Sequence, residues 1–494
     1  MSIEGLKIVT AQEMARIEKR AVGRGGDEER FMDEAGRKVA LAAMEYVEKH
    51  GLVRRIALLV GKGNNGGDAW AAGIYLLDEG FQVRAVPLYK MEEGSALNRK
   101  FGERFKKKKG RIEPKEIHFE EDGLILDGLL GTGFKGNVEP AMGAVIQRAV
   151  DSGKPILAID IPSGLNGTTG EAGNYVIVAQ ETITLGLPKI GFFLRQGWNC
   201  VGQLRVENFG LLQEDFEEAN AVAYLPNWKH LRLPQIVRTR HKYQSGFVVG
   251  FAGSTEFSGA AKMASRAALR AGAGIVRLFY PEKIGPAFDE LICGEWNVKE
   301  WKEAMARAQS LFIGPGLGKS KETHRWLQTY MKGIKQPCVV DADALLPDLQ
   351  YPALSILTPH RGEALRILGL KQVPEEEEDL FSKVMRFCER KQTVVVLKGA
   401  PTFIFAPGKA PIVITHGDPG MATAGTGDVL TGILAALLAQ GMFCYEAAIL
   451  GTILHGIAGE EAAKEKTSYC VIASDLIECL PKAFQIVMKW RDSA

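Results

Sequence analysis

Residues 415–441 read THGDPGMATAGTGDVLTGILAALLAQG, a glycine-rich loop that runs straight into a long apolar helix. Gly425-Thr426-Gly427-Asp428 stands at the junction. Glycines ahead of a helix let backbone N–H groups turn inward as a nest, and the helix N-terminus adds partial positive charge, so a phosphate oxygen fits there. Asp428 falls in the first turn beside that anion, a poor place for a carboxylate unless it handles a proton near the phosphate. Asp near a helix start also serves as an N-cap, and the loop alone leaves both readings open.

Working outward from this helix, a strand–helix alternation fills the second half of the chain. Apolar runs at 247–251, 274–280, 311–313, 338–341 and 393–397 read as strands, and 260–272 as a helix. Most of these strands end in glycine- or proline-bearing loops: GPGLG at 314–318, DAD at 341–343, TPHRGE at 358–363 and KGAPT at 398–402. In such sheets the loops at the carboxyl ends of strands converge on the ligand. Lys398 offers charge for a phosphate, and His360 can donate to a substrate oxygen. No Walker A pattern is present, and the whole resembles the ribokinase-like phosphotransferases.

The first half repeats the rhythm. Met14, Ile17 and Ala21 share one helical face, and Met32, Ala35, Val39, Ala43 and Val47 form a second stripe, so the first fifty or so residues read as helices. A strand at 56–60, a loop at 61–68, a helix at 69–77 and a strand at 81–88 make a βαβ unit, followed by strands at 124–130, 155–161 and 182–187. Three strand-end loops stand out: GKGNNGGD at 61–68, DGLLGTGFKG at 127–136 and DIPSG at 160–164. Together they offer oxygen ligands from Asn65, Asp127 and Ser163, of which one carries a full charge. That set suits a weakly held monovalent cation better than zinc or calcium.

The fold expected is therefore α/β with two domains, a Rossmann-like parallel sheet over 1–212 and a ribokinase-like α/β domain over 236–494. A segment of poor periodicity at 213–235, marked by Pro226 and Pro234, reads as the linker. The 494 residues are too many for one core. Lys+Arg of 61 against Asp+Glu of 59 leaves a net charge of +2, which argues against nucleic acid or an anionic membrane as partner. Seven cysteines without a C-x-x-C point to a reducing compartment. The opening MSIEGLKIVTAQEMARIEKR lacks the apolar core of a signal peptide, so the cytoplasm is expected. The charge runs at 106–109 and 375–379 read as solvated faces.

The ordered set NNGGD, GTGFKG and DIPSG resembles the epimerase domain of the NAD(P)H-hydrate repair enzymes. HK at His241-Lys242, GPGLG, DADAL, TPH-x-GE, KG-x-P-T and DPGMATAGTGDVLTG are similar to the dehydratase half of that family, so the resemblance covers nearly the whole chain. Tyr243, Arg361, His416 and Asp418 depart from the residues frequent there. The resemblance implies that the first domain interconverts the R and S hydrates of NADH and NADPH. It gives the hydrated dinucleotide to Asn64, Asn65, Gly66, Gly67, Asp68, Gly131, Thr132, Gly133, Phe134, Lys135, Gly136, Asn137 and Asp160, and potassium to Asn65, Asp127 and Ser163. Asp160 is the expected acid/base there, although an Asp in such a turn also serves as a cap.

For the second domain the resemblance implies nucleotide-dependent dehydration of the S hydrate, releasing AMP and phosphate. Leu317, His360 and Asp428 would touch the hydrate. Lys398, Gly399, Ala400, Pro401, Thr402, Asp418, Pro419, Gly420, Met421, Ala422, Thr423, Ala424, Gly425, Thr426 and Gly427 would bind ADP, with ATP as an alternative and Mg²⁺ beside the phosphates. Asp428 is the expected base. Small molecules and further copies of the chain are the partners expected. Two other readings use the same loop: a small-molecule kinase fused to a dinucleotide-binding domain, and a nucleotide-sensing module without catalysis.

Overall fold

The computed structural model describes residues 3–113, 118–285, 287–372 and 377–492, so Glu375 and Glu376 of the expected charged face lie outside the described residues. The chain divides into two compact units, Lys7–Ala223 and a second made of Met1–Leu6 with Tyr224–Ala494. The division falls inside the stretch read as linker, which is structured. The opening residues also differ from the expected helices, because a strand, β1 (Glu4–Ile8), precedes them. Its sequence EGLKI is short and its residues are mostly half-buried or exposed, so it carries little of the apolar signal that marks the central strands.

Helices α1 (Ala11–Gly23) and α2 (Glu28–Lys49) follow, with Thr10 and Asp27 as N-caps whose side chains accept from the backbone N–H of Glu13 and Glu29. The first unit then lays down β2 (Arg55–Val60), α3 (Asn64–Asp78), β3 (Gln82–Pro87), α4 (Ala96–Lys107), β4 (Arg111–Ile112) and β5 (Leu124–Gly128). It continues with α5 (Pro140–Asp151), β6 (Ile156–Ile159), β7 (Glu181–Leu185), α6 (Gly197–Val201), β8 (Gln203–Glu207) and α7 (Gln213–Glu217). The seven strands pair in the order β4-β3-β2-β5-β6-β7-β8, all parallel.

Both faces of this sheet are covered, which is why its strands read as unbroken apolar runs. Along β2, Ile56, Leu58 and Val60 join a core with α1, α2, α3 and α4. Ala57 and Leu59 point the other way, into a core with α5. The charge run at 106–109 is solvent-exposed.

One boundary matters for function. The stretch 61–68, expected as a loop, turns helical at Asn64, because Gly63 caps α3 in extended conformation. The fully buried Asn98 donates through Nδ2 to the carbonyls of Gly61 and Gly63 at 2.9 and 2.8 Å. Gly66 is required there for space: a Cβ on it would stand 1.8 Å from the Gly61 carbonyl oxygen.

The second unit contains β9 (Ala223–Pro226), β10 (Phe247–Phe251), α8 (Ser258–Arg270), β11 (Ile275–Tyr280), β12 (Ile292–Glu295), α9 (Val298–Met305) and β13 (Ser310–Ile313). Next come α10 (Lys321–Tyr330), β14 (Cys338–Val340), β15 (Ser355–Leu357), α11 (Arg361–Ile367), α12 (Glu377–Lys391) and β16 (Val394–Leu397). It closes with β17 (Thr402–Phe405), β18 (Ile412–Ile414), α13 (Thr426–Ala439), α14 (Cys444–Lys466) and α15 (Ala473–Asp492).

Its eleven strands run β1-β9-β18-β17-β16-β15-β14-β13-β10-β11-β12. Pairing is parallel from β12 to β16 and antiparallel through the meander β16-β17-β18. One face packs against α8, α13, α14 and α15. Among the described residues no helix is long and apolar enough to cross a membrane.

Candidate active sites

In the first unit the loops after β2, β5 and β6 open onto a cavity of about 920 Å³, within the range of small-molecule sites. Asn64, Asn65 and Asp68 at the start of α3 line it, with Gly131, Thr132, Gly133, Phe134, Lys135 and Asn137 from the second loop and Asp160 from the third. Gly66, Gly67 and Gly136 are not among its lining residues. Gly66 and Gly67 instead give space where α3 meets its neighbours, since a Cβ on Gly67 would stand 2.5 Å from the Met32 side chain.

Asn65, on the cavity wall, is linked through Leu130 to the buried pair Asp127 and Ser163. Ser163 donates through Oγ to Asp127 Oδ1 at 2.6 Å and through its backbone N–H to Oδ2 at 2.8 Å, and its Oγ accepts from Leu130 N–H at 2.8 Å. Asn65 Nδ2 donates to the Leu130 carbonyl at 2.8 Å, which leaves Asn65 Oδ1 buried without a hydrogen-bond partner. Burial pushes the Asp127 carboxyl up to about 6, against the pull of the hydrogen bonds from Ser163 and Leu129.

Asp160 sits in left-handed backbone conformation, φ 62°, an uncommon state for a residue with a side chain. Its Oδ1 accepts from Leu185 N–H at 3.0 Å and from the Lys189 ammonium. Lys189 has no exposed surface and spends its other protons on Thr184 Oγ1 at 2.9 Å and the Leu185 carbonyl at 3.0 Å. Two more acids face this pair. Glu18 on α1 lines the cavity, and burial, reinforced by Asp160 and only partly offset by Lys189, pushes it up to about 7. Burial, with Asp160 and Glu18 adding to it, pushes Asp68 well above the usual carboxylate range. Sequence reasoning missed Glu18 and Lys189, since neither lies in a glycine loop.

In the second unit Gly425, at φ 97°, is the N-cap of α13, and the helix has no side-chain cap. Asp428 is thus the third helical residue and not the cap, and the backbone N–H groups of the first turn have no capping side chain to bond. Lys398 stands over this turn: its Nζ lies 3.3 Å from where a Cβ on Gly427 would be. It donates to Asp341 Oδ1 at 3.0 Å, while Asp341 Oδ2 accepts from Thr431 on α13 at 2.8 Å.

Burial disfavours the Lys398 ammonium, yet Asp341, Glu363 and Asp428 around it prevail and hold its pKa above the ordinary value. Burial and the neighbouring Asp341 push Asp428 up to about 7, with Lys398 pulling the other way. His455 on α14 donates through Nε2 to the Thr426 carbonyl at 2.9 Å, and its burial pushes it down to about 4, so it braces the turn as a neutral ring.

Of the remaining predicted residues, His360 and the 398–402 turn adjoin Lys398. His360 caps α11, its Nδ1 accepting from Glu363 N–H at 3.3 Å, and it bridges to Lys398 along the backbone. Leu317 is buried. Gly399, Ala400, Pro401 and Thr402 form the turn into β17, closed by Thr402 Oγ1 donating to the Gly399 carbonyl at 3.0 Å. The loop from Asp418 to Ala424 is fixed by its ends. Asp418 accepts from Gly420 N–H at 2.8 Å and from Ser468 Oγ at 3.0 Å, and Thr426 Oγ1 donates to the carbonyls of Met421 and Thr423, both at 3.0 Å. Asp341, Glu363 and Thr431 carry no assigned role in the sequence reading, although DADAL and TPH-x-GE flag the stretches that hold the first two.

Comparison with known proteins bears on both units. Residues 248–482 match the NAD(P)H-hydrate dehydratase family model, and residues 28–191 match the YjeF-related protein N-terminus. The chain is 34% identical to the bifunctional NAD(P)H-hydrate repair enzyme of Moorella thermoacetica, over 91% of each chain. With the enzyme of the same name from Escherichia coli it shares 35% identity, over 87% of this chain and 85% of that one. With that of Dictyoglomus turgidum it shares 31%, over 99% and 100%.

Proposed function

The chain belongs to the family of bifunctional NAD(P)H-hydrate repair enzymes, joining a hydrate epimerase to a hydrate dehydratase, and on that premise we propose which residues carry each reaction. In the first unit the cavity-lining loops hold the hydrated dinucleotide, and Asp160 moves the proton that epimerisation requires at the ring carbon bearing the hydroxyl. Potassium fits at Asn65, Asp127 and Ser163. The orphaned Asn65 Oδ1 is the observation that supports it, because a buried acceptor without a donor is costly unless a cation takes it up. When bound, the ion supplies a positive charge that ties the start of α3 to the loop after β5.

In the second unit the nucleotide phosphates lie in the nest at Gly425, Thr426 and Gly427 with Lys398 over them, and the turn at 398–402 with the loop at 418–427 holds the rest of the ADP. Hydroxide is a poor leaving group. Asp428 takes the proton of the hydrate's hydroxyl, whose oxygen attacks the terminal phosphoryl group held by the nest and by Lys398. The new phosphate ester departs, pushed by the ring nitrogen's lone pair. The adjacent ring carbon loses a proton, and NAD(P)H, AMP and phosphate are the products.

Among the described residues no group of three His, Cys, Asp or Glu side chains forms a cage for a metal ion. Asp341 is already engaged by Lys398 and Thr431. Mg²⁺ would then arrive with the phosphates, which with water would supply its ligands. The raised Asp428 carboxyl, set beside an uncapped helix start under a lysine, is the observation that carries this reading.

The test is to incubate a mixture of R and S hydrates with the protein and ADP or ATP, in potassium or sodium, and to follow the reduced-nicotinamide absorbance. Recovery beyond the S fraction is expected, faster in potassium. No recovery with either nucleotide would refute the dehydratase assignment, a plateau at the S fraction would refute the epimerase assignment, and a stable phosphorylated product would turn the second unit into a kinase.

A further inference from the structure

The epimerase cavity holds more acid than the proposed reaction has used. Glu18, Asp68 and Asp160 reach it from α1, from α3 and from the loop after β6. A buried cation, Lys189, stands beside Asp160, and its protons are spent on Asp160, Thr184 and Leu185. A single ammonium cannot keep three neighbouring carboxyls ionised in a site of low polarity. Asp160 takes the cation, so Glu18 and Asp68 are driven toward the neutral form.

The two differ in how far. Asp68 is raised well above its usual range by burial, with Asp160 and Glu18 adding to it. Glu18 is raised to about 7, where a group can both give and take a proton. The other charged residues along the cavity wall, Lys19, Glu28, Lys62, Glu93, Lys135 and Glu139, are exposed to water. Among the described residues no hydrogen bond engages the Glu18 carboxyl or Asp160 Oδ2, so both are free to meet a substrate.

The reaction asks for a pair. Inverting the hydroxyl-bearing carbon means breaking its C–O bond, with a proton given to the departing oxygen, and adding water to the opposite face, with a proton taken away. One carboxyl on one wall serves one face.

Resting on the epimerase reading above, we propose that Glu18 is the second catalytic residue of this site. As a carboxylic acid it protonates the departing hydroxyl on one face of the ring, while the Asp160 carboxylate takes a proton from the water adding on the other. The ring nitrogen's lone pair fills the gap when the C–O bond breaks and is returned when the new one forms. The turnover leaves Glu18 ionised and Asp160 protonated, the state from which the opposite hydrate reacts with the roles exchanged. Lys189 is a positioning residue that holds Asp160 Oδ1 and leaves Oδ2 to the chemistry.

The experiment uses the full chain with Glu18→Gln, Glu18→Asp and Asp160→Asn, following hydrate interconversion by chiral chromatography against pH, with the near-ultraviolet circular dichroism and proteolytic resistance of each preparation as the folding control. Glu18→Gln is expected to lose about 100-fold or more in kcat with KM little changed, and to lose the fall in rate above about pH 7 seen in the wild type. Glu18→Asp should keep that fall at a reduced rate, and it carries the test if the Gln variant does not fold. The proposal is overturned if Glu18→Gln keeps the wild-type rate and pH profile while Asp160→Asn is inactive. If the wild type fails to interconvert the hydrates, or Asp160→Asn keeps full activity, the underlying epimerase reading fails instead.

Discussion

Both units set a lysine against an aspartate beside a second acid raised to about 7, yet the two acids are asked to do opposite things. In the first, Lys189 holds Asp160 and the raised acid is Glu18; in the second, Lys398 holds Asp341 and the raised acid is Asp428. Burial is the leading cause of both shifts. The surroundings divide them. Glu18 lines a cavity with Asp68 and Asp160, where a proton is best kept and given; Asp428 also has acids beside it, Asp341 and Asp343, but stands in the first turn of an uncapped helix under a lysine, where a proton is best taken while phosphate charge is held elsewhere. A similar pKa is therefore no guide to role until the charge around it is known.

The largest effect that would break this comparison is its independence. Asp428→Asn should cut dehydration by about 1,000-fold and spare hydrate interconversion, and Asp160→Asn should do the reverse, each within the range for removing a proton-transfer group. Measuring both activities on each variant checks it. If either substitution silenced both reactions, the two sites would have to be treated as one.

A smaller effect, about tenfold per pH unit at its steepest, sharpens the comparison. Asp428 acts ionised, so dehydration should climb as pH rises toward about 7 and level off above it. Epimerisation should decline above about 7 as Glu18 loses its proton. Rates with subsaturating hydrate, taken for both reactions across one pH series, decide the matter. Parallel profiles would mean that the two acids do not hold the opposed roles given to them.

How much of this was open to sequence reading follows from the same contrast. The second unit's site lies on glycine loops and a helix start, and the chain itself displays Gly425, Gly427, Asp428 and Lys398 as motifs. In the first unit the loops were equally visible, but Glu18 is one polar residue beside the buried stripe of Met14, Ile17 and Ala21 on α1. Lys189 follows the apolar strand β7 with nothing to distinguish it from a surface lysine. What brings them to Asp160 is the packing of α1 and the chain's path after β7, which no local pattern encodes. The central strands other than β15 were legible as buried apolar runs. The edge strand β1, its neighbour β9 and the meander β17–β18 were not.

The smallest effect concerns the helices that carry the sites. α3, which bears Asn65 and Asp68, packs on α2 through Gly36, where a Cβ would stand 2.2 Å from the Ala71 Cβ. α13, which bears Asp428, packs on α8 through Gly432, where a Cβ would stand 2.1 Å from the Ala264 carbonyl oxygen. Either contact forces two helices apart, at a cost of about 1–3 kcal/mol for overpacking a filled core. Gly36→Ala should therefore make the epimerase activity the first to fail on heating, and Gly432→Ala the dehydratase. The check is the residual activity of both reactions after graded heating. Loss of both together in each variant would mean that the chain unfolds as one cooperative body. The opposed charge arrangements would then share a single reserve of stability, and a substitution in one unit could be read only with both reactions measured.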